Sequence, residues 1–274
     1  MLRGMYGAGA GMIAQQRRQE MLSNNVANAN TPGYKADQGS MRTFPQQLIQ
    51  AVGTDHPETH GSRDVGTLAT GVYMQERTPN FTQGDMRETG NSTDAALLQG
   101  GVPEDPETGN PAMLAFEAVN GDGDVRYTRN GNFAIDGEGF LTTPDGYYVR
   151  GEDGEAINVA TENIDISEDG VITDADEDVL GQLNVVVIPD AENLVKEGSG
   201  LLNYEGEEEI VTAIGNDETD YQIQQGALEG SNVDANRTMS EMMATMRSYE
   251  ANQQVLQAYD QSMERAANDI GRLQ

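Results

Sequence analysis

The stretch with the most suggestive chemistry is Asp165-Ile-Ser-Glu-Asp-Gly-Val-Ile-Thr-Asp-Ala-Asp176. Side-chain oxygens at Asp165, Ser167, Asp169 and Asp176, with Gly170 at the turn and Ile172 at the apolar position, follow the spacing of a calcium loop. Two features oppose that reading: the last position is Asp rather than Glu, and no amphipathic helices flank the loop. The same residues spell a hairpin, with Ile164-x-Ile166 turning at Glu168-Asp169-Gly170 into Val171-x-Thr173, and the hairpin is preferred. His56 and His60 are the only histidines, and Pro57 with the flanking glycines makes their stretch a loop rather than a metal-binding helix face. Glu104/Asp105 and Glu207/Glu208/Glu209 are carboxylate groups that a glycosidase could use only if they were held in a cleft with one proton retained. They lie in polar runs that water should solvate. The chain has no cysteine and no phosphate-binding or nucleophile-elbow motif, so no enzyme, no cofactor and no metal is expected.

Charge says more about organisation than about chemistry. Residues 152–220 hold 21 acids against Lys196 alone, whereas residues 1–50 carry a net charge of +3 and residues 226–274 a net charge of −3. The two ends together are neutral and the middle is strongly acidic. Ends that pack against copies of themselves must avoid self-repulsion; a solvent-facing middle need not. No basic stripe exists to neutralise phosphates, so nucleic acid is not an expected partner. The glycine-rich start is a poor secretory signal, and no apolar run approaches the ~20 residues of a membrane span, so no membrane insertion is expected. Composition alone describes a cytosolic or unconventionally exported soluble protein.

Two helices must position whatever this chain does. Between Ser231 and Ile270 there is no Gly or Pro, and Met239, Met242, Met246, Tyr249, Leu256, Met263, Ala267 and Ile270 follow an alternating three–four spacing broken only at Gln253 and Asp260. That spacing predicts one long helix with a coiled-coil-like apolar seam. Ser231 with Asp234 reads as its capping box and Gly271 as its stop. Residues 1–30 predict a second helix, with Leu2, Met5, Gly9 and Met12 on one face. Gly4, Gly7, Gly9 and Gly11 each cost about 1 kcal/mol relative to Ala, so this helix should order only when something packs on it. It ends in an asparagine-rich stop, Asn24, Asn25, Asn28 and Asn30, followed by the turn pair Pro32-Gly33 and the aromatic Tyr34.

Leu22-Ser-Asn-Asn-Val-Ala-Asn-Ala-Asn-Thr-Pro-Gly-Tyr-Lys35 resembles the N-terminal signature of the bacterial flagellar axial proteins, the rod, hook and hook-associated group. Gln225-Gly-Ala-Leu-Glu-Gly-Ser-Asn-Val-Asp234 with Met246-Arg-Ser-Tyr-Glu-Ala-Asn252 is similar to that family's C-terminal signature. Thr67–Tyr73, Phe81-Thr-Gln-Gly-Asp85, Asp94-Ala-Ala-Leu97 and Tyr127-Thr-Arg-Asn-Gly-Asn-Phe133 resemble the rod branch, nearest to its distal-rod type. The resemblance weakens over 98–120 and 155–220, and the Pro/Gly loop 101–111 departs from the family pattern. It implies a non-enzymatic rod subunit at the basal body, outside the cytoplasmic membrane after type III export. Its implied partners are copies of itself, other rod and hook subunits, and the export apparatus. The implied assembly surface takes in Leu2, Met5, Met12, Leu22, the asparagines at 24, 25, 28 and 30, Pro32, Gly33, Tyr34, Leu228, Ser231, Asn232, Val233, Met239, Met242, Met246, Tyr249, Leu256, Met263 and Ile270.

From about 66 to 224 the apolar period changes to two. Strands are expected at Val72 and Met74, Phe81–Met86, Met113–Val119, Asp124–Thr128, Asn132–Ile135, Phe140–Thr142, Tyr147–Val149, Ile157–Val159, Ile164–Ile166 and Leu183–Ile188. Asn130-Gly131, Asp136-Gly137, Asp145-Gly146 and Asp169-Gly170 are hairpin signals. The expected fold is α+β: a discontinuous helical domain from residues 1–52 and 225–274, a linker at 53–65, and an inserted β-rich domain at 66–224. One short helix is expected between Arg42 and Ala51. The rival readings are a hook or hook-junction subunit, and a calcium-stabilised acidic surface adhesin.

Overall fold

The computed structural model describes residues 2–44, 47–51, 63–68, 71–103, 109, 111–121, 123–161, 163–216 and 219–271. The histidine pair, most of the linker at 53–65 and Glu104/Asp105 lie outside these residues. The fold is α+β: one helix at each end of the chain and many short strands between. It divides into two units. Unit 1 comprises residues 1–27, 37–78 and 234–274; unit 2 comprises residues 28–36 and 79–233.

In unit 1, α1 (Leu2–Ala27) packs along α2 (Ala235–Gly271), a helix of 37 residues. Gly4 lies under the Tyr259 phenol and Gly11 under the Asn252 amide, while Arg18 reaches Glu241 and Leu22 meets Met242. The pairing is therefore antiparallel. A Cβ on Gly4 would collide with the Tyr259 ring, and one on Gly11 would stand 2.9 Å from Asn252 Nδ2. The costly glycines of α1 thus allow close helix approach where they face α2.

The apolar seam of α2 divides between two faces. Met242, Tyr249, Leu256 and Met263 lie half-buried, but their alternating partners are Thr238, Thr245, Asn252, Tyr259 and Ala266. Met239 and Met246, expected in the same seam, are exposed. A count of apolar residues follows methionine into solvent and overlooks hydroxyl and amide side chains that α2 can bury. Thr245 can be buried because its hydroxyl donates to the Glu241 carbonyl one turn back. The cap of α2 is Asp234, whose carboxylate accepts from the Arg237 backbone N–H at 3.0 Å; Ser231 accepts instead from the Val233 N–H.

The rest of unit 1 is extended. Met41–Thr43 pairs antiparallel with Val72–Met74, and Gln47–Ala51 with Arg63–Leu68. The short helix expected between Arg42 and Ala51 is therefore two strands, and Arg63–Leu68 begins inside the stretch read as a linker. Ladder partners distant in sequence override a local apolar pattern that suits either conformation. Met74 closes a small core with Met21, Leu22 and Met242.

Unit 2 is built on Met113–Val119, the central strand of a nine-stranded sheet. On one side Val125–Thr128 pairs with it; on the other, Val185–Ile188 and then Tyr148–Val149. The strand is buried on both faces, so it reads as an apolar run interrupted only at Glu117, which pairs with Arg150. Leu114 and Phe116 enter the larger core with Leu97, Phe133, Leu183 and Ile223, whereas Met113 and Ala115 face a second core with Val186, Ile188 and Leu202.

Several expected strands contract to isolated bridges: Ile157–Val159 contributes only the pairing of Asn158 with Phe140. Phe81–Met86 is a loop until Met86–Glu88 pairs with Ala227–Glu229. Asn130-Gly131 makes no tight hairpin, because Gly131 is buried and its carbonyl accepts from the Ala95 N–H.

Candidate assembly residues and a buried charge cluster

The Asp165–Asp176 stretch is a hairpin. Ile164–Ile166 pairs with Val171–Asp174, placing Asp165 opposite Thr173, and Gly170 takes φ +86° in the turn. Asp165, Ser167 and Asp169 are exposed at its edge and tip, and Asp176 lies in the next turn. Among the described residues, no group of three His, Cys, Asp or Glu side chains is arranged to hold a metal ion.

The candidate assembly residues fall into three environments. Leu22 and Asn25 are buried in unit 1; the Asn25 amide brackets Asp37, accepting from its N–H and donating to its carbonyl, both at 2.9 Å. Met5, Met12, Met242, Tyr249, Leu256 and Met263 are half-buried on the helices, and Asn24, Met239 and Met246 are exposed there. Leu2 and Ile270 are helical by backbone. In unit 2, Asn30 is exposed, while Asn28, Pro32, Gly33, Tyr34, Leu228, Ser231, Asn232 and Val233 are half-buried.

Within unit 2 the turn Pro32–Lys35 and the segment Ala227–Asn232 are held together. The Gly33 N–H donates to the Glu229 carbonyl at 2.8 Å and the Asn232 N–H to the Tyr34 carbonyl. Asn232 also accepts from the Ala36 N–H and donates to the carbonyls of Asn80 and Thr82. Gly33 has φ +69°, and a Cβ there would meet the Arg129 backbone at 2.5 Å, so both conformation and space require glycine.

Beneath this turn lies an ion cluster outside the candidate set. Glu229, 1 % exposed, receives Lys35 Nζ at 2.6 Å on one carboxylate oxygen and Arg129 Nη2 at 2.7 Å on the other. The Gly84 N–H donates to the first oxygen at 2.9 Å, and Arg129 Nε to the second at 2.8 Å. Further donors reach backbone carbonyls: Lys35 donates to Thr82, and Arg129 to Leu114 and Leu97. The chain's other lysine, Lys196, sits 4.3 Å above the Tyr34 ring and donates to the Lys35 carbonyl. The stretches around residues 34, 83, 96, 129 and 229, which read separately as motifs, thus meet at one carboxylate. Such closed hydrogen bonding leaves no face for a substrate and suits a structural junction. A sequence signal existed: one of only two lysines and a lone acid in an apolar strand, each beside a special turn.

Burial alone would raise the Glu229 pKa, but Arg129 and then Lys35 hold it below the ordinary carboxyl value. Burial pushes the Lys35 ammonium down, against the pull of Glu229. For Glu229 the folded state therefore binds fewer protons than the unfolded state near the ordinary value of about 4.3. Its stabilisation is complete above that value and is lost as pH falls through the folded pKa. The melting temperature of the wild type should approach that of Glu229→Gln on acidification, and thermal melts from neutral to acid pH measure the gap; a constant gap would contradict the linkage.

Comparison with known proteins agrees along the chain. Residues 5–35 match the family described as flagella basal body rod protein, residues 115–174 the flagellar hook protein FlgE/F/G D1 domain, and residues 224–269 the flagellar basal body rod FlgEFG protein C-terminal family. The flagellar hook-basal body complex protein FlhO of Bacillus subtilis is 43 % identical over 273 residues, covering 100 % of both chains. The flagellar basal-body rod protein FlgG of Agrobacterium fabrum is 29 % identical, covering 95 % of this chain and 96 % of its own. FlgG of Bacillus subtilis is 27 % identical, covering 98 % and 99 %.

Proposed function

We propose, on the premise that the chain belongs to the flagellar basal-body rod and hook-basal body complex family, that unit 1 joins neighbouring subunits through the helix faces its own pair leaves open. The chain is a structural subunit of the basal-body rod and resides at the flagellar basal body. The observation that carries the assembly reading is on α2. Met239, Met243 and Met246 stand 45 %, 54 % and 50 % exposed on one face, beside the face turned to α1. On α1, Tyr6 and Ile13 are exposed at 69 % and 58 %, one heptad apart. Large apolar side chains grouped on an exposed face mark an interaction surface, and flexible methionines suit slightly different packings in successive subunits.

In this reading the helices make coiled-coil-like contacts with copies of the chain and with other rod and hook subunits. The glycine-bearing α1 orders fully only on packing, which keeps the chain threadable for type III export before assembly. The exposed acids of unit 2, among them Glu152, Asp153, Glu177 and Asp178, stay in water. No described helix is long and apolar enough to cross a membrane.

Met246→Asp tests the reading. It should change thermal stability by no more than about 0.5 kcal/mol, as an exposed site does, yet exclude the subunit from isolated basal bodies. Normal incorporation of this variant would refute the surface.

A further inference from the structure

Unit 2 buries two cations from distant parts of the chain, Lys35 at 4 % and Arg129 at 3 % exposure. Among the described residues, one carboxylate pairs with them, and it belongs to Glu229. The three lie far apart in sequence, 194 residues from Lys35 to Glu229 and 100 from Arg129 to Glu229. In order of emergence both cations precede their counter-ion.

A buried cation with no partner opposes packing strongly, and two held close together repel each other besides. The hydrogen bonds Lys35 and Arg129 make to Thr82, Leu97 and Leu114 satisfy donors but supply no opposite charge. We propose that Glu229 is the closing charge of unit 2: without it, the core cannot shut over Lys35 and Arg129. The segment that brings it also supplies two strands, Tyr221–Gln225 on Ala95–Gln99 and Ala227–Glu229 on Met86–Glu88. A chain that emerges N-terminus first therefore holds unit 2 open until residue 229 is out. Closure is tied to the arrival of residue 229 instead of proceeding piecemeal. Closure within unit 2 is independent of how subunits contact one another, and its test involves no assembly.

The two lysines make the test direct. The full-length chain is treated briefly with an acetylating N-hydroxysuccinimide ester, and Lys35 and Lys196 are quantified by peptide mass spectrometry. In the wild type, Lys35 should react far more slowly than in the same chain in concentrated urea. Glu229→Gln keeps the shape and removes the charge; it should speed Lys35 acetylation by roughly 100-fold or more, the scale of a broken buried ion pair. Glu229→Asp keeps the charge on a shorter stem and should restore most of the protection, although glutamine is the closer match in size. Wild-type protection in Glu229→Gln would overturn the proposal. So would equal reactivity in the Asp and Gln variants, since shape rather than charge would then close the unit.

Discussion

Leu22→Asp should separate α1 from α2. Leu22 is 3 % exposed among Met21, Met74 and Met242, so the new carboxylate would enter an apolar pocket, while Arg18 one turn earlier is already engaged by Glu241. The penalty for a lone buried charge is several kcal/mol. The helix has little to set against it, since Gly4, Gly7, Gly9 and Gly11 weaken it in isolation. Hydrogen exchange across Leu2–Ala27 should rise to nearly unprotected rates, with a matching loss of helical circular dichroism. Retained protection would mean that α1 is held by something other than this pocket. The contrast with Met246→Asp separates two causes of failed incorporation. One variant loses the fold of unit 1; the other keeps it and loses only the outward face.

Phe116→Ala should remove about 3–5 kcal/mol from unit 2. Phe116 is wholly buried at the middle of Met113–Val119, and its ring meets Phe133 edge-on at 5.3 Å between centroids. Neighbouring strands fix the backbone on both sides, so the site cannot collapse to fill the void. Urea unfolding followed by intrinsic tyrosine fluorescence measures the loss. A change below about 1 kcal/mol would show a core able to repack. The exposed Val195→Ala on the same sheet is the control and should stay within about 0.5 kcal/mol.

What could be seen in the sequence follows from the range of each interaction. The two helices are legible because their period repeats over many turns. Their facing residues are legible only in part, since Thr245, Asn252 and Tyr259 do not look like core. Met113–Val119 stands out as an apolar run broken only by Glu117, whereas Ala95–Gln99 and Tyr221–Gln225 hide, being rich in alanine and glutamine and defined by each other. The helix expected near Arg42–Ala51 fails for the same reason: a short apolar pattern is undecided until its distant partner is known. The Lys35–Arg129–Glu229 cluster is the extreme case. Each member lies in a recognisable stretch, yet nothing local says that the three meet.

The lysine placement also bears on how copies of this chain repel one another. Lys35 Nζ is committed to Glu229 and the Thr82 carbonyl, and Lys196 Nζ to the Lys35 carbonyl, so the permanent cations left elsewhere are arginine guanidinium groups. The formal charge of −30 sets the sign and scale of that repulsion. What varies is its reach, about 8 Å at 0.15 M salt and about 30 Å at 0.01 M. For this subunit the dial on mutual repulsion is ionic strength.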